Sequence, residues 1–248
     1  MTAAPYTLLL LRHGESTANA DNCFTGWTDA PLTDLGRQQA RTAGELLKAA
    51  AAIPDVVHTS VLRRTITTAD IVSGVLGRDW LPVHRSWRLN ERHYGALTGQ
   101  AKTQVLDRTD ATTYHQWRRS WDTAPPPAAP GALPPWGDDR YADLPPDVWP
   151  LTESLHDVYR RLMPYWTDQV VPDLVAGRTP LIVAHGNSLR ALVAHLDRLS
   201  PPDIEALNIP TGQPLRYDLG ADFVPLAPGG TYLDPATAAR EAEAVRRQ

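Results

Sequence analysis

A chain of 248 residues with a formal net charge of -4 is long enough to bury a substantial core. Its slightly acidic balance excludes the strongly basic surface with which nucleic-acid-binding domains usually hold phosphate backbones, so an anionic partner would need a local basic pocket. The single cysteine, Cys23, excludes an internal disulfide framework and a cysteine-based zinc site and fits a reducing cytoplasm, while no apolar run reaches the roughly 18 residues that suggest a membrane span.

In chain order, residues 1–5 show no basic n-region, long apolar h-region or cleavage motif, so no export signal is expected. Leu8-Leu9-Leu10-Leu11 is a continuous apolar run leading into Arg12-His13-Gly14-Glu15-Ser16, which reads as a strand buried on both faces. A loop is expected over 19–31, then a helix from 33 to about 52 with Ala40, Ala43 and Leu47 on one face. Residues 55–58 read as a second strand, Ser60 as a cap for a helix over 62–76, and 80–84 as a third strand. Over 122–150 the character changes, because Pro125-Pro126-Pro127, Pro130, Pro134-Pro135 and Pro145-Pro146 forbid regular structure. A loop this long, bordered by Arg118 and Arg119, is expected to cover a site. A helix follows from 154 to about 171. Leu181-Ile182-Val183-Ala184 is a second buried run and ends in His185-Gly186-Asn187-Ser188. Beyond it come a helix over 188–199, a strand near 215–218 and an exposed helical tail over 235–247.

Alternating strands and helices predict an α/β, three-layer fold with a mostly parallel central sheet and helices on both faces, as one domain over 1–248. Its active site is expected at the carboxyl ends of the strands. Each buried run delivers a histidine there, and if the two strands are neighbours the imidazoles face one another. Neutral imidazole is a nucleophile near pH 7 and can hold a phosphoryl group covalently.

Leu11-Arg12-His13-Gly14-Glu15-Ser16, followed by Phe24-Thr25-Gly26-Trp27 and Leu32-Thr33, resembles the opening of the cofactor-dependent phosphoglycerate mutases of the histidine phosphatase superfamily. Ser60-Val61-Leu62-Arg63-Arg64-Thr65, Leu89-Asn90-Glu91-Arg92-His93-Tyr94-Gly95-Ala96-Leu97-Thr98-Gly99, Ala184 to Leu192 and Leu207-Asn208-Ile209-Pro210-Thr211-Gly212 extend the likeness over nearly the whole chain. The resemblance implies that His13 becomes phosphorylated, that His185 lies beside the transferring group, and that Glu91 is general acid and base, with Arg12 and Arg63 catalytic beside them. It implies anion binding by Arg12, Arg63, Arg92, Lys102, Arg118 and Arg119, completed by Ser16, Asn19, Thr25, Gly26, Glu91, Tyr94, Gly186 and Asn187. It further implies the glycolytic and gluconeogenic interconversion of 2-phosphoglycerate and 3-phosphoglycerate, primed by 2,3-bisphosphoglycerate and needing no metal. The expected setting is cytoplasmic, with small phosphorylated carboxylic acids as partners, no nucleic acid, no membrane, and a dimer or tetramer as the possible homo-oligomer. Cover roles fall to the proline-rich segment and to a C-terminal tail at about 221–248. Hydrolysis by the same residues is the competing outcome, against which Lys102 with Arg118-Arg119 speaks, since a simple phosphatase needs no grip on a second acid group. His58, His84, His115, His156 and His195 match no functional position.

Overall fold

The computed structural model describes residues 6–132, 134 and 136–247; the expectations for residues 1–5 and for Pro135 lie outside them. Among the described residues six strands form one sheet in the order β3-β2-β4-β1-β5-β6. These are β1 (Tyr6–Arg12), β2 (Val56–Thr59), β3 (Val83–Arg85), β4 (Pro180–Ala184), β5 (Leu215–Leu219) and β6 (Thr231–Tyr232). β3, β2, β4 and β1 are parallel, β5 runs antiparallel to β1, and β6 runs antiparallel to β5. The two histidine strands are direct neighbours, in a register that sets Arg12 opposite Ala184.

The apolar runs are continuous because both faces of these strands are covered. Leu8 and Leu10 face a core completed by Ile182, Leu189, Leu192 and Trp166, whereas Leu9 and Leu11 face another with Val57, Val183, Ala43, Leu47 and Val72. The helices, in order, are α1 (Thr17–Ala20), α2 (Asp34–Ala49), α3 (Arg63–Leu76), α4 (Lys102–Asp107), α5 (Ala111–Arg119), α6 (Leu155–Tyr165), α7 (Val171–Val175), α8 (Gly186–Leu196), α9 (Pro201–Ala206) and α10 (Pro235–Arg247). Helices α2 and α3 cover one face, and α6 and α8 the other. The three-layer architecture is the one the alternation predicts.

Several local expectations are corrected. The loop over 19–31 is entered through a helical turn, α1, which Ser16 and Asn19 close with a reciprocal capping box. Ser60 does not cap α3: Leu62 occupies that position without a side-chain cap, and the Ser60 hydroxyl is drawn inward. The third strand is shorter than expected, with Trp80 72% exposed before it. Pro164 lies inside α6 and Pro172 inside α7, and between the two helices, over Trp166–Val170, the chain widens into a π turn. Helices α4, α5 and α9 and the two-residue β6 are short elements that the sequence reading left unassigned. The tail helix α10 is present as expected, anchored by buried Ala238.

The proline-rich segment is irregular among its described residues, apart from single turns at Asp139–Tyr141 and Pro146–Val148. Its described residues pack behind the Glu91 block: Pro126 O accepts from Ala96 N–H, Pro134 O meets the His93 ring, and buried Tyr141 stacks on Trp27 and bonds Asn90. None of them lines the cleft described next.

Candidate active site

At the carboxyl end of the sheet, β1 and β4 release their histidines side by side, with ring centroids 5.0 Å apart and planes at 67°. His13 is held on the ladder by its N–H to Ala184 O, 3.0 Å. Its Nδ1 lies 2.7 Å from the carbonyl of Gly14. A carbonyl can only accept, so Nδ1 carries the proton and Nε2 keeps the lone pair. Burial, with Arg64 and Arg12 nearby, holds His13 well below the ordinary imidazole value. The ring is therefore a neutral nucleophile with its reactive nitrogen defined.

His185 is set by side chains instead. Arg64 Nε donates to its Nδ1 at 3.2 Å, so Nε2 bears the proton and donates to Ser60 Oγ at 2.8 Å. Ser60 Oγ in turn lies 2.7 Å from Thr65 Oγ1, whose proton goes to Leu62 O. Burial and then Arg64 keep this ring neutral too. Both of its nitrogens are engaged within the protein, and it stands behind the cleft rather than in its wall.

Glu91 lines the cleft. Its Oε1 accepts from the backbone N–H of Arg92 (2.8 Å) and of Asn187 (3.1 Å), leaving Oε2 without a hydrogen-bond partner among the described residues. A carboxylate held by one oxygen and free at the other suits proton transfer. The backbone beneath it is braced: Glu91 O accepts from Trp27 Nε1 and Arg161 Nη2, and Arg161 is locked in a buried ion pair with Glu153 at 2.6 Å.

Arg12, Asn19, Thr25, Tyr94, Lys102, Arg118, Arg119, Gly186 and Asn187 join His13 and Glu91 in lining the cleft. Tyr94 OH accepts from Asn187 Nδ2 at 2.9 Å. Burial, then Arg118 and Arg12, lowers the Lys102 ammonium to about 7. Ser16, Gly26 and Arg92 are not among the lining residues. Ser16 serves the α1 capping box, Gly26 offers its carbonyl to Arg64, and Arg92 donates to Trp117 O and Arg118 O.

Arg63 is the clear departure. Its side chain is 59% exposed and paired with Asp29, while its neighbour Arg64 is buried, lines the cleft and holds His185. Helix phase decides this: the buried face of α3 runs Arg64, Thr65, Thr68, Ala69, Val72, a spacing that excludes residue 63 and was readable in the sequence. Arg190, Asn208, Ile209, Phe24 and Cys23 complete the lining without having been singled out for it. Among the described residues Arg12, Arg64, Lys102, Arg118, Arg119 and Arg190 make no ion pair with a carboxylate. No group of three or more His, Cys, Asp or Glu is placed to hold a metal ion among those residues, and no helix is long and apolar enough to cross a membrane.

A three-layer sheet presenting paired, neutral histidines to an unpaired cationic cleft defines a class. The chain belongs to the histidine phosphatase superfamily (branch 1), whose family model matches residues 8–133 and 127–221. Within that superfamily, curated relatives at more than half identity over the whole chain share one name. The 2,3-bisphosphoglycerate-dependent phosphoglycerate mutases of Streptomyces avermitilis and Streptomyces griseus are each 57% identical to it over 249 residues, covering 100% of this chain and 98% of theirs. Among solved structures, the mycobacterial glucosyl-3-phosphoglycerate phosphatase complexed with VO3 matches with a TM-score of 0.65 at 28% identity, covering 86% of this chain and 92% of that one.

Proposed function

We propose that the chain, as one catalytic unit, interconverts 2-phosphoglycerate and 3-phosphoglycerate through a phosphohistidine at His13. The observation that carries this reading is the ring of cations that, among the described residues, have no carboxylate partner, around a neutral imidazole whose Nε2 has no hydrogen-bond partner among them. Buried cations lacking a counter-ion await an anionic ligand, and arginine forks orient phosphate and carboxylate as well as attract them. The donor set also fits 2,3-bisphosphoglycerate as primer, since Arg12 Nε is buried with no partner among the described residues. Arg12, Lys102, Arg118, Arg119 and Asn187 would hold it, and it would supply the phosphoryl group that charges His13.

In turnover His13 Nε2 forms its bond to phosphorus as the bond to the substrate oxygen breaks, in line with it. Glu91 Oε2 gives the leaving oxygen a proton, and later takes one from the accepting hydroxyl. Arg64, bonded to His185, places positive charge beside the transferring group. A cytoplasmic setting and a dimeric or tetrameric assembly belong to the same reading. The test is turnover of 3-phosphoglycerate with and without added 2,3-bisphosphoglycerate, alongside His13→Ala. Isomer formation, strong activation and complete loss in the variant are expected; release of free phosphate without isomer would make the enzyme a phosphatase instead.

A further inference from the structure

The C-terminal end of α5 carries Arg118 and Arg119, and its three last carbonyls are all taken by buried guanidiniums from other elements. Arg92 Nη2 reaches Trp117 O and Arg118 O at 2.7 and 3.2 Å, and Arg190 Nη2 reaches Arg119 O at 3.0 Å. Arg190 is only 3% exposed and does more. The same Nη2 donates to Ile204 O in α9 at 2.7 Å, and Nη1 to Asn187 Oδ1 at 2.9 Å. The last contact settles which way the Asn187 amide points, so that Nδ2 must face Tyr94 OH and the cleft. Arg119 continues the lacing from its own side chain, through Glu205 O, Leu207 O and Asn208 Oδ1. One guanidinium therefore ties α8 and the neighbouring α9 to the end of α5, 71 residues earlier in the chain, at the cleft lining. Burial, with Arg119 and Arg92 as like charges, lowers Arg190 to about 9, so the fold spends stability to keep it there.

We propose that Arg190 is a positioning residue for the non-transferred acidic end of the ligand: it sets Asn187 and the Arg118-Arg119 arm at the distance a second acid group needs, and takes no part in transfer at His13. This rests on reading that arm as an anion grip. No single lysine amine can span Asn187 Oδ1, Arg119 O and Ile204 O in a fixed fork, so both Arg190→Gln and Arg190→Lys lose the geometry, the second while retaining the buried charge. The measurements are steady-state KM and kcat for 3-phosphoglycerate, and rapid-quench phosphorylation of His13 by 2,3-bisphosphoglycerate across concentration. In both variants KM and the half-saturating bisphosphoglycerate concentration should rise about ten-fold or more, while the maximal phosphorylation rate stays within about three-fold. A KM for Arg190→Lys within about two-fold of the parent overturns the proposal, and so does a maximal phosphorylation rate that falls as far as the affinity. A parent enzyme that forms phosphohistidine but no isomer would instead overturn the mutase reading and leave the affinity comparison standing on its own.

Discussion

Exchanging each member of the Arg63-Arg64 pair for methionine separates a cation on the surface from one in the machinery. Arg64 makes three side-chain hydrogen bonds, to His185 Nδ1 at 3.2 Å, Thr28 O at 2.8 Å and Gly26 O at 2.9 Å. Arg64→Met removes the donor for each, and each acceptor left dry costs about 1–3 kcal/mol, so a loss of about 3–6 kcal/mol is expected after partial relaxation. For a chain of this size that corresponds to a fall in Tm of roughly 10 °C or more. His185 loses the bond that fixes its unprotonated nitrogen and the cleft loses a buried cation beside His13, so kcat should drop about 10²–10³-fold. Arg63→Met removes only the exposed pair with Asp29, worth about 0–1 kcal/mol, and should shift Tm by no more than about 3 °C with kcat within two-fold. The assay is isomer formation from 3-phosphoglycerate beside calorimetry on the same preparations. An Arg63 variant as impaired as the Arg64 variant would refute the reasoning.

Three further outcomes follow from the same geometry. Glu91→Gln, which keeps the Oε1 acceptor but cannot exchange a proton, should lower kcat by about 10²–10⁴-fold with phosphohistidine content measured alongside; unchanged kcat would remove Glu91 from proton transfer. Lys102, lowered to about 7, is charged below that pH and neutral above it, so KM for the anionic substrate should climb as pH rises through 7, and Lys102→Met should erase the inflection. His58 lies buried between Tyr165 OH and Asp173, and burial lowers it to about 4. Its depressed value makes the folded state bind fewer protons than the unfolded one between pH 6.5 and 4, so Tm should hold above 6.5 and fall through that window. In His58→Gln the slope should flatten in part, His13 and His185 supplying the rest.

The strands were legible because a strand covered on both faces must be apolar at every position, a pattern that Leu8 to Leu11 and Leu181 to Ala184 display without ambiguity. Their adjacency was left as a condition for the histidines to meet, and the sheet order that sets β4 beside β1 meets it. Less could be read where a contact crosses the chain. Composition showed that 122–150 is irregular, but not that Tyr141 stacks on Trp27 and makes the segment a brace for Glu91. Ser60 looks like a helix cap by spacing alone, and only the third dimension supplies the imidazole that claims its hydroxyl. Arg64 was within reach of the sequence through helix phase. Arg190 was not, since its partners Asn187, Arg119 and Ile204 are collected from three separate elements.

Gly14 and Gly36 meet back to back where the β1 exit passes the first turn of α2: a Cβ on Gly14 would run into Gly36 O, and one on Gly36 into Glu15 O. The carbonyl that fixes the proton on His13 therefore belongs to a stretch of main chain that tolerates no side chain on either partner. The nucleophile's tautomer is thus written in the backbone, beyond the reach of any substitution that leaves the chain path intact. That of His185 is written in three side chains, Ser60, Thr65 and Arg64, each replaceable by a single exchange. Under mutational drift the two histidines should age differently, with new chemistry entering this scaffold by way of His185 while His13 stays as it is.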